Sequence, residues 1–340
     1  MTVLVQVKDL AKTFDVSAPW LNRVIERKER QFVHAVDGVS FSIERVKTLA
    51  LVGESGCGKS TVARLLVGLY GPTRGEVLFD GQSTSTMAAG AELRALRRRM
   101  QMIFQDPYAS LNPRWKVLDI VGEPLREHGL VNPSGASTSA APEGSALRDK
   151  VGELLKSVGM AVADCEKFPH QFSGGQRQRI SIARALATQP EFLVCDEPTS
   201  ALDVSVQAQV LNIMKDLQRT RGLTYLFISH NLAVVRHVAD QVGVMYLGRL
   251  VEVADKAELF AAPRHPYTRM LLDAIPDIHM SGRSRTPVQG EVPNPLNPPT
   301  GCAFHPRCPH ANARCSSERP ALTMFRGVQV ACHAVQEERI

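Results

Sequence analysis

The chain has 340 residues, enough for one large domain with a smaller one and for a substantial buried core. Its 44% hydrophobic and 22% charged residues are ordinary for a soluble globular protein, and no run of 18 apolar residues exists, which excludes a membrane-spanning helix. The net charge of +6 lies partly in basic stretches at 22–30 and 94–100, which indicate solvated helix faces more than a nucleic-acid or headgroup surface.

The first half of the chain begins with "VLVQVKDLAKTF", which predicts a strand because β-branched residues recur in it. After a polar, irregular stretch, "AVDGVSFSIERVKTLALVGES" predicts two strands around a turn and a third strand that ends at Gly53. A helix over 61–69 follows. Residues 131–146 are rich in Ser, Ala, Gly and Pro, which predicts a flexible surface insertion.

The second half continues the alternation of helices and strands. Helices are predicted over 147–158, from near Ser173 and over 203–220, with strands at "EFLVCDE", at "LTYLFISH" and onward to about residue 253. This order predicts an α/β core with parallel strands. Beyond residue 255 the composition changes to a loop-rich appendix, with seven prolines between 286 and 309. The start has no signal-peptide pattern, so we expect a cytosolic protein in which disulfides are disfavoured.

A phosphate-binding loop is predicted at 53–60, "GESGCGKS", between an apolar strand and a helix. Its backbone N–H groups can surround phosphate oxygens, and the dipole of the following helix favours the same anion. Lys59 can reach the β- and γ-phosphates, and the Ser60 hydroxyl can ligate Mg²⁺. The expected nucleotide-binding residues here are Gly53, Glu54, Ser55, Gly56, Cys57, Gly58, Lys59, Ser60 and Thr61.

An acidic pair follows the apolar run "FLVC" at 192–195. Carboxylates at the end of a parallel strand lie beside the phosphate site in this class of fold. Asp196 is therefore expected to hold Mg²⁺, through water, and Glu197 to polarise the attacking water as a general base. A solvated acidic turn is the alternative interpretation, which the accompanying phosphate loop disfavours.

A second anion site is predicted at "QFSGGQRQRISIARAL", where Ser-Gly-Gly-Gln opens a helix. One nucleotide rarely needs two such sites, so the second one is expected to serve a nucleotide held by another subunit. With the phosphate loop, "FSGGQ", "DEPTSALD" and "FISH" in this order and spacing, the sequence resembles the ABC-transporter ATPases. The resemblance implies a P-loop NTPase core with a parallel sheet, an antiparallel β subdomain and an α-helical subdomain.

The resemblance also implies a role for individual residues. Phe14 matches the aromatic residue that stacks on adenine, and Gln105 matches the glutamine that senses Mg²⁺ and couples to membrane subunits. Asp203 matches the acid that communicates across the dimer, and His230 matches the histidine that contacts the γ-phosphate. The signature that closes over the partner's ATP matches Ser173, Gly174, Gly175 and Gln176.

Three further segments, "QDPYASLNPR", "SVQAQVLN" and "RHPYTRMLL", resemble the oligopeptide/dipeptide permease ATPases, a family that includes nickel importers. The implied function is ATP hydrolysis that energises peptide import at the cytoplasmic face of a bacterial inner membrane. The implied partners are a second ATPase subunit, two transmembrane permeases and an extracytoplasmic substrate-binding protein, with no nucleic acid. The resemblance favours a non-identical second ATPase, and a homodimer is the alternative. Nickel import is the alternative within this class, and a soluble ABC-type ATPase acting on nucleic acid or ribosomes is the alternative outside it.

The domain boundaries follow from the same resemblance. We expect a nucleotide-binding domain at 1–255, with a helical subdomain at about 106–186, and a permease-type C-terminal region at 256–340. The chain departs from the family at Val46, where glycine is usual. A β-branched residue resists positive φ, so this turn is expected to differ or to be strained.

Four cysteines in the C-terminal region, Cys302, Cys308, Cys315 and Cys332, are separated by five, six and sixteen residues. They lack the close pairs of common zinc ribbons, but their number suits a [4Fe–4S] cluster or a zinc ion. The surrounding segment is poor in apolar residues and needs a cross-link to fold. Some peptide-permease ATPases carry such a set around an iron–sulfur cluster, which the resemblance therefore favours over Zn²⁺ or free thiols.

Overall fold

The computed structural model describes residues 2–26, 29–84, 90–131, 145–274 and 290–340. The predicted insertion at 131–146 lies almost entirely outside them. In chain order the strands are β1 (Val3–Asp15), β2 (Phe32–Glu44), β3 (Thr48–Val52), β4 (Arg74–Phe79), β5 (Gln82–Ser83), β6 (Met100–Ile103), β7 (Phe192–Asp196), β8 (Thr224–Ile228), β9 (Gln241–Tyr246), β10 (Arg249–Asp255), β11 (Thr323–Phe325) and β12 (Val328–Val330).

The helices are short, as expected for an α/β domain. They are α1 (Trp20–Glu26), α2 (Lys59–Leu66), α3 (Ala91–Arg99), α4 (Pro107–Ser110), α5 (Val117–Glu127), α6 (Ser145–Ser157), α7 (Gly174–Leu186), α8 (Val204–Arg221), α9 (Leu232–Val238), α10 (Lys256–Ala261), α11 (Pro266–Asp273), α12 (Ala313–Ser317) and α13 (His333–Gln336). Three 3₁₀ turns lie at Val162–Glu166, Pro169–Gln171 and His305–Arg307. Among the residues described, no helix is long and apolar enough to cross a bilayer.

The chain divides into two compact units. The signature unit comprises residues 45–47 and 87–227. Its strands lie in the order β8-β7-β6, and β6 and β7 run parallel with Ile103 opposite Cys195. Every residue of β7 and β8 is buried, as expected for central strands covered on both faces. Helices α5 and α6 pack against α7 beside this sheet.

The phosphate-loop unit comprises residues 2–44, 48–86 and 228–340. An antiparallel sheet has the order β2-β1-β4-β5, and a second set of strands has the order β11-β12-β10-β9-β3. In the second set β3 runs parallel to β9, whereas β10 is antiparallel to both β9 and β12. The C-terminal residues thus contribute strands to the same sheet as the strand that precedes the phosphate loop. The division at residue 255 stays a prediction.

One strand prediction is wrong in detail. Two strands and a third were expected in "AVDGVSFSIERVKTLALVGES", but this segment, which the structure describes in full, holds only two, because Phe32–Glu44 forms a single strand along β1 and β3 follows it. Gly38 has φ 75, and the register shifts nearby between Leu10 and Lys12. An Asp-Gly pair is a strong hairpin signal, but the 13-residue partner strand β1 converts it into a bulge.

The predicted strain at Val46 is present. Val46 has φ 61, although a β-branched side chain disfavours the left-handed region. The turn is held by the Thr224 hydroxyl, which accepts a bond from the Val46 N–H at 2.9 Å, and by Gln218, which donates to the Val46 carbonyl at 3.2 Å. These bonds fix the backbone and leave the side chain half exposed.

Candidate nucleotide site

The phosphate loop has the predicted setting, between buried β3 and α2. The Lys59 side chain is buried and donates to the carbonyls of Gly53 at 2.8 Å and Glu54 at 2.9 Å. Gly58 has φ 104, and a Cβ there would lie 2.1 Å from the Ala35 carbonyl oxygen, so only glycine fits. The loop is therefore a compact turn with its lysine amine held inside it.

The glutamate expected to polarise water and the glutamine expected to sense Mg²⁺ meet in the signature unit. Asp196 ends β7 and is buried, and Glu197 follows it with φ 47, a strained conformation for a non-glycine residue. Gln105 lies two residues after β6, and its Nε2 donates to Glu197 Oε2 at 3.0 Å. Because β6 and β7 are parallel, their carboxyl ends place Gln105 and Glu197 side by side.

The Ser-Gly-Gly-Gln turn forms a capping box at the start of α7. Ser173 Oγ accepts from the Gln176 N–H at 3.4 Å, and Gln176 Oε1 accepts from the Ser173 N–H at 3.0 Å. A Cβ on Gly175 would lie 2.2 Å from Val206 Cγ1 of α8, so close helix packing excludes a side chain there. The signature residues thus present a helix N-terminus, as the sequence predicts.

The remaining predicted site residues lie at or near the ends of helices and strands. Asp203 precedes α8 as its N-cap position, without a side-chain capping bond. His230 is exposed after β8, and Ser60 and Thr61 lie in the first turn of α2. Phe14 packs edge-on against Tyr70, with ring centroids 5.5 Å apart. The roles assigned to these residues stay predictions.

Two residues of the C-terminal region, which the sequence patterns do not identify, hold the phosphate loop. Tyr267 Oη accepts the Glu54 N–H at 2.9 Å. The Arg307 guanidinium donates to both Glu54 carboxylate oxygens, at 2.8 and 3.0 Å. These partners lie 213 and 253 residues from Glu54, so no local pattern identifies them. The segment "RHPYTRMLL" indicates the permease family but does not indicate a role for its tyrosine.

The start of α11, which carries Tyr267, rests on a buried carboxylate. Glu252 accepts the N–H groups of Arg264 at 2.8 Å and His265 at 2.9 Å, and burial raises the pKa of this carboxyl. Burial lowers the pKa of His265 to about 3, so the imidazole is neutral and its Nδ1 accepts the Tyr267 N–H at 3.0 Å. Tyr267 is fully buried and has a fixed position.

The four C-terminal cysteines lie near one another. The Cys302 N–H donates to the Cys315 carbonyl at 2.8 Å. Burial, with a further contribution from the thiols of Cys332, Cys315 and Cys308, raises the pKa of Cys302 to about 11. Within the described ranges, however, no three His, Cys, Asp or Glu side chains converge closely enough to hold one metal ion.

Comparison with protein families gives two matches. The family model described as "ABC transporter" matches residues 36–200, and the model described as "Oligopeptide/dipeptide transporter, C-terminal region" matches residues 251–315. Among solved structures, the chain is similar to a dimeric ATP-binding cassette, MJ0796, bound to ADP and Pi. That likeness has a TM-score of 0.62 and 27% identity, and covers 74% of this chain and 99% of that one.

Full-length relatives agree with these matches. The chain is 50% identical to the di/tripeptide transport ATP-binding protein DppF of Pseudomonas aeruginosa, over 99% of each chain. It is 46% identical to the oligopeptide transport ATP-binding protein AppF of Bacillus subtilis, over 97% of each. The phosphate loop, the signature turn and the Gln105–Glu197 pair lie within this similarity. The chain belongs to the ABC-transporter ATPase family, in the group with the oligopeptide/dipeptide transporter C-terminal region.

Proposed function

We propose that this chain hydrolyses ATP to energise peptide import through a membrane ABC transporter. The observation that carries the proposal is 50% identity, over 99% of both chains, with a di/tripeptide transport ATP-binding protein. The second relative is likewise an oligopeptide transport protein. These relatives give no support to the soluble ATPase acting on nucleic acid, whereas nickel instead of peptide remains the alternative within the transporter class.

In the proposed cycle the phosphate loop binds the β- and γ-phosphates, and Phe14 stacks on adenine. Glu197 accepts a proton from the attacking water, and the Gln105 amide orients its carboxylate. His230 contacts the γ-phosphate. Support for this arrangement comes from the Gln105–Glu197 hydrogen bond of 3.0 Å.

Magnesium fits the residues proposed to hold it, because Ser60, Gln105 and Asp196 offer the oxygen ligands that this ion prefers. When bound, Mg²⁺ would neutralise charge on the β- and γ-phosphates. The chain's contribution is to supply these three oxygen ligands.

Two ATPase subunits are proposed to pair head to tail, so that ATP binds between one phosphate loop and the partner's Ser-Gly-Gly-Gln turn. Asp203 would then communicate across the pair. The partner is a non-identical ATPase, with a second copy of this chain as the alternative. The ATPase pair lies at the cytoplasmic face of the inner membrane, and the complex also includes two permeases and an extracytoplasmic binding protein. Exposed Phe104, Tyr108 and Trp115 support permease docking around 105–123, because large apolar side chains on a surface favour protein contacts.

The experiment uses the chain assembled with its permeases and second ATPase in vesicles. Glu197→Gln is expected to lower ATP hydrolysis by roughly 10²- to 10⁴-fold while ATP binding is retained, because the proton acceptor is lost. Glu153→Gln, at an exposed helix position, is the matched control and should hydrolyse ATP normally. If peptides are taken up and stimulate ATP hydrolysis, and nickel does neither, the assignment of peptide as the substrate is supported. Unchanged hydrolysis in Glu197→Gln would contradict the mechanism.

We also propose that Cys302, Cys308, Cys315 and Cys332 hold a [4Fe–4S] cluster. The other three thiols contribute to the raised pKa of Cys302, so the four lie near one another. A [4Fe–4S] cluster takes one thiolate at each of its four irons, which is the number of cysteines present. The cluster would cross-link a segment that has few apolar residues.

Anaerobic purification with metal and sulfide analysis tests this assignment. The cluster predicts about four irons per chain and a broad visible absorption band. About one zinc per chain would replace it with a structural zinc site. If the purified chain contains neither iron nor zinc, the four cysteines are reduced thiols and the proposal is overturned.

A further inference from the structure

Every polar group of Glu54 is bound by another part of the phosphate-loop unit. Its N–H donates to Tyr267 Oη, its carbonyl accepts from Lys59 Nζ, and its carboxylate accepts two bonds from Arg307. The phosphate-loop pattern of Gly, four residues and Gly-Lys-Ser does not specify this position. The general motif therefore does not explain why Glu54 makes these contacts.

The Glu54–Arg307 pair is shielded from water. The Arg307 side chain is 2% exposed and that of Glu54 is 24% exposed, and the guanidinium also donates to Tyr246 Oη at 3.4 Å. A bidentate arginine–carboxylate pair in such surroundings is strong, and removal of one partner leaves the other charge uncompensated. By contrast, Arg326 and Glu338 form an exposed pair at 2.7 Å, with exposed fractions of 63% and 64%.

Arg307 lies on a turn that begins and ends at a cysteine. The Cys302 carbonyl accepts from the His305 N–H at 2.9 Å, and the Cys308 N–H donates to the His305 carbonyl at 3.2 Å. Phe304 anchors the turn, because its buried ring lies 5.3 Å from that of Tyr246 and 5.4 Å from that of Tyr267. The position of the guanidinium is thus set by the Cys302–Cys308 turn.

We propose that Arg307 is a positioning residue for ATP binding, which acts through Glu54. Paired with Arg307, the Glu54 carboxylate is neutralised and held by two hydrogen bonds. Without Arg307, a negative charge is released into a loop that must receive an anion. The conformation of the Cys302–Cys308 turn thereby sets the ATP affinity. The proposal rests on the ATP-binding role of the phosphate loop and is independent of what the cysteines hold.

The test measures the Kd of the purified chain for a fluorescent ATP analogue with Mg²⁺, together with the melting temperature. Arg307→Ala is expected to raise the Kd by about tenfold or more. Arg307→Lys, which keeps the charge but not the bidentate geometry, should be intermediate. Arg326→Ala is the matched control from the exposed pair and should bind as the wild type does.

The double variant Glu54→Gln/Arg307→Ala decides between positioning and mere stability. Removal of the carboxylate also removes the uncompensated charge, so the double variant should bind ATP within about threefold of Glu54→Gln alone. An unchanged Kd in Arg307→Ala, with only the melting temperature lowered, would overturn the proposal. Failure of the wild type and of Arg326→Ala to bind nucleotide would contradict the ATPase assignment itself, and is recognisable because the control fails as well.

Discussion

The phosphate loop and the Ser-Gly-Gly-Gln turn are both glycine-rich anion sites at helix N-termini, but they are held in different ways. The signature turn is closed by its own residues, since Ser173 and Gln176 cap each other three positions apart. The phosphate loop depends on Tyr267 and Arg307, more than 200 residues later in the chain. A substitution in the signature turn should therefore alter only the structure around that turn, whereas a substitution in the C-terminal region should alter phosphate binding.

The largest effect on stability is expected where α7 packs against α8. Gly175→Ala would place a Cβ 2.2 Å from Val206, and we expect it to destabilise the protein by about 1–3 kcal/mol and to lower ATP hydrolysis. Gly174→Ala is the control for stability, because its Cβ would meet Leu202 at an ordinary 3.5 Å. Thermal unfolding measures both, and Val206→Ala should restore stability to Gly175→Ala. Equal melting temperatures for the two alanine variants would contradict the packing argument.

A smaller effect on stability is expected at Tyr267, which holds the phosphate loop from the C-terminal region. Tyr267→Phe removes the acceptor of the Glu54 N–H, which costs about 1 kcal/mol of stability and should weaken ATP binding several-fold. Tyr225→Phe is matched, because the Tyr225 hydroxyl is also buried and donates to the Met214 carbonyl at 2.9 Å. Nucleotide titration and thermal unfolding of both variants separate the two effects. Weakened ATP binding in Tyr225→Phe as well would show that general destabilisation is the cause.

The smallest effect is expected at the cap of α7. Ser173→Ala removes one side of the capping box and should lower stability by about 0.5–1 kcal/mol. Because this turn is proposed to bind the partner's nucleotide, the Kd of the isolated chain for ATP should not change. Denaturant unfolding and nucleotide titration check the two statements. A weaker Kd in the isolated chain would remove the distinction between the two sites.

The sequence predicts those features whose causes are local. The phosphate loop and the helix start at the Ser-Gly-Gly-Gln turn require only a strand, a few glycines and a helix N-terminus, all of which are adjacent in the chain. The strain at Val46 is also local. The single strand over Phe32–Glu44 was not predicted, because its length is set by pairing along β1, which the local sequence does not show. Nor were Tyr267 and Arg307 identified, since their contacts depend on a tertiary packing that has no periodic signal.

The contrast between the two sites is tested most directly by amide hydrogen exchange in the wild type and in Arg307→Ala. The loop over 53–58 should exchange faster in the variant, because the Glu54 anchor is loosened. The first turn of α7, over 174–177, should exchange at the wild-type rate. If the loop keeps its protection, or if both segments loosen together, the C-terminal region does not hold the phosphate loop as described.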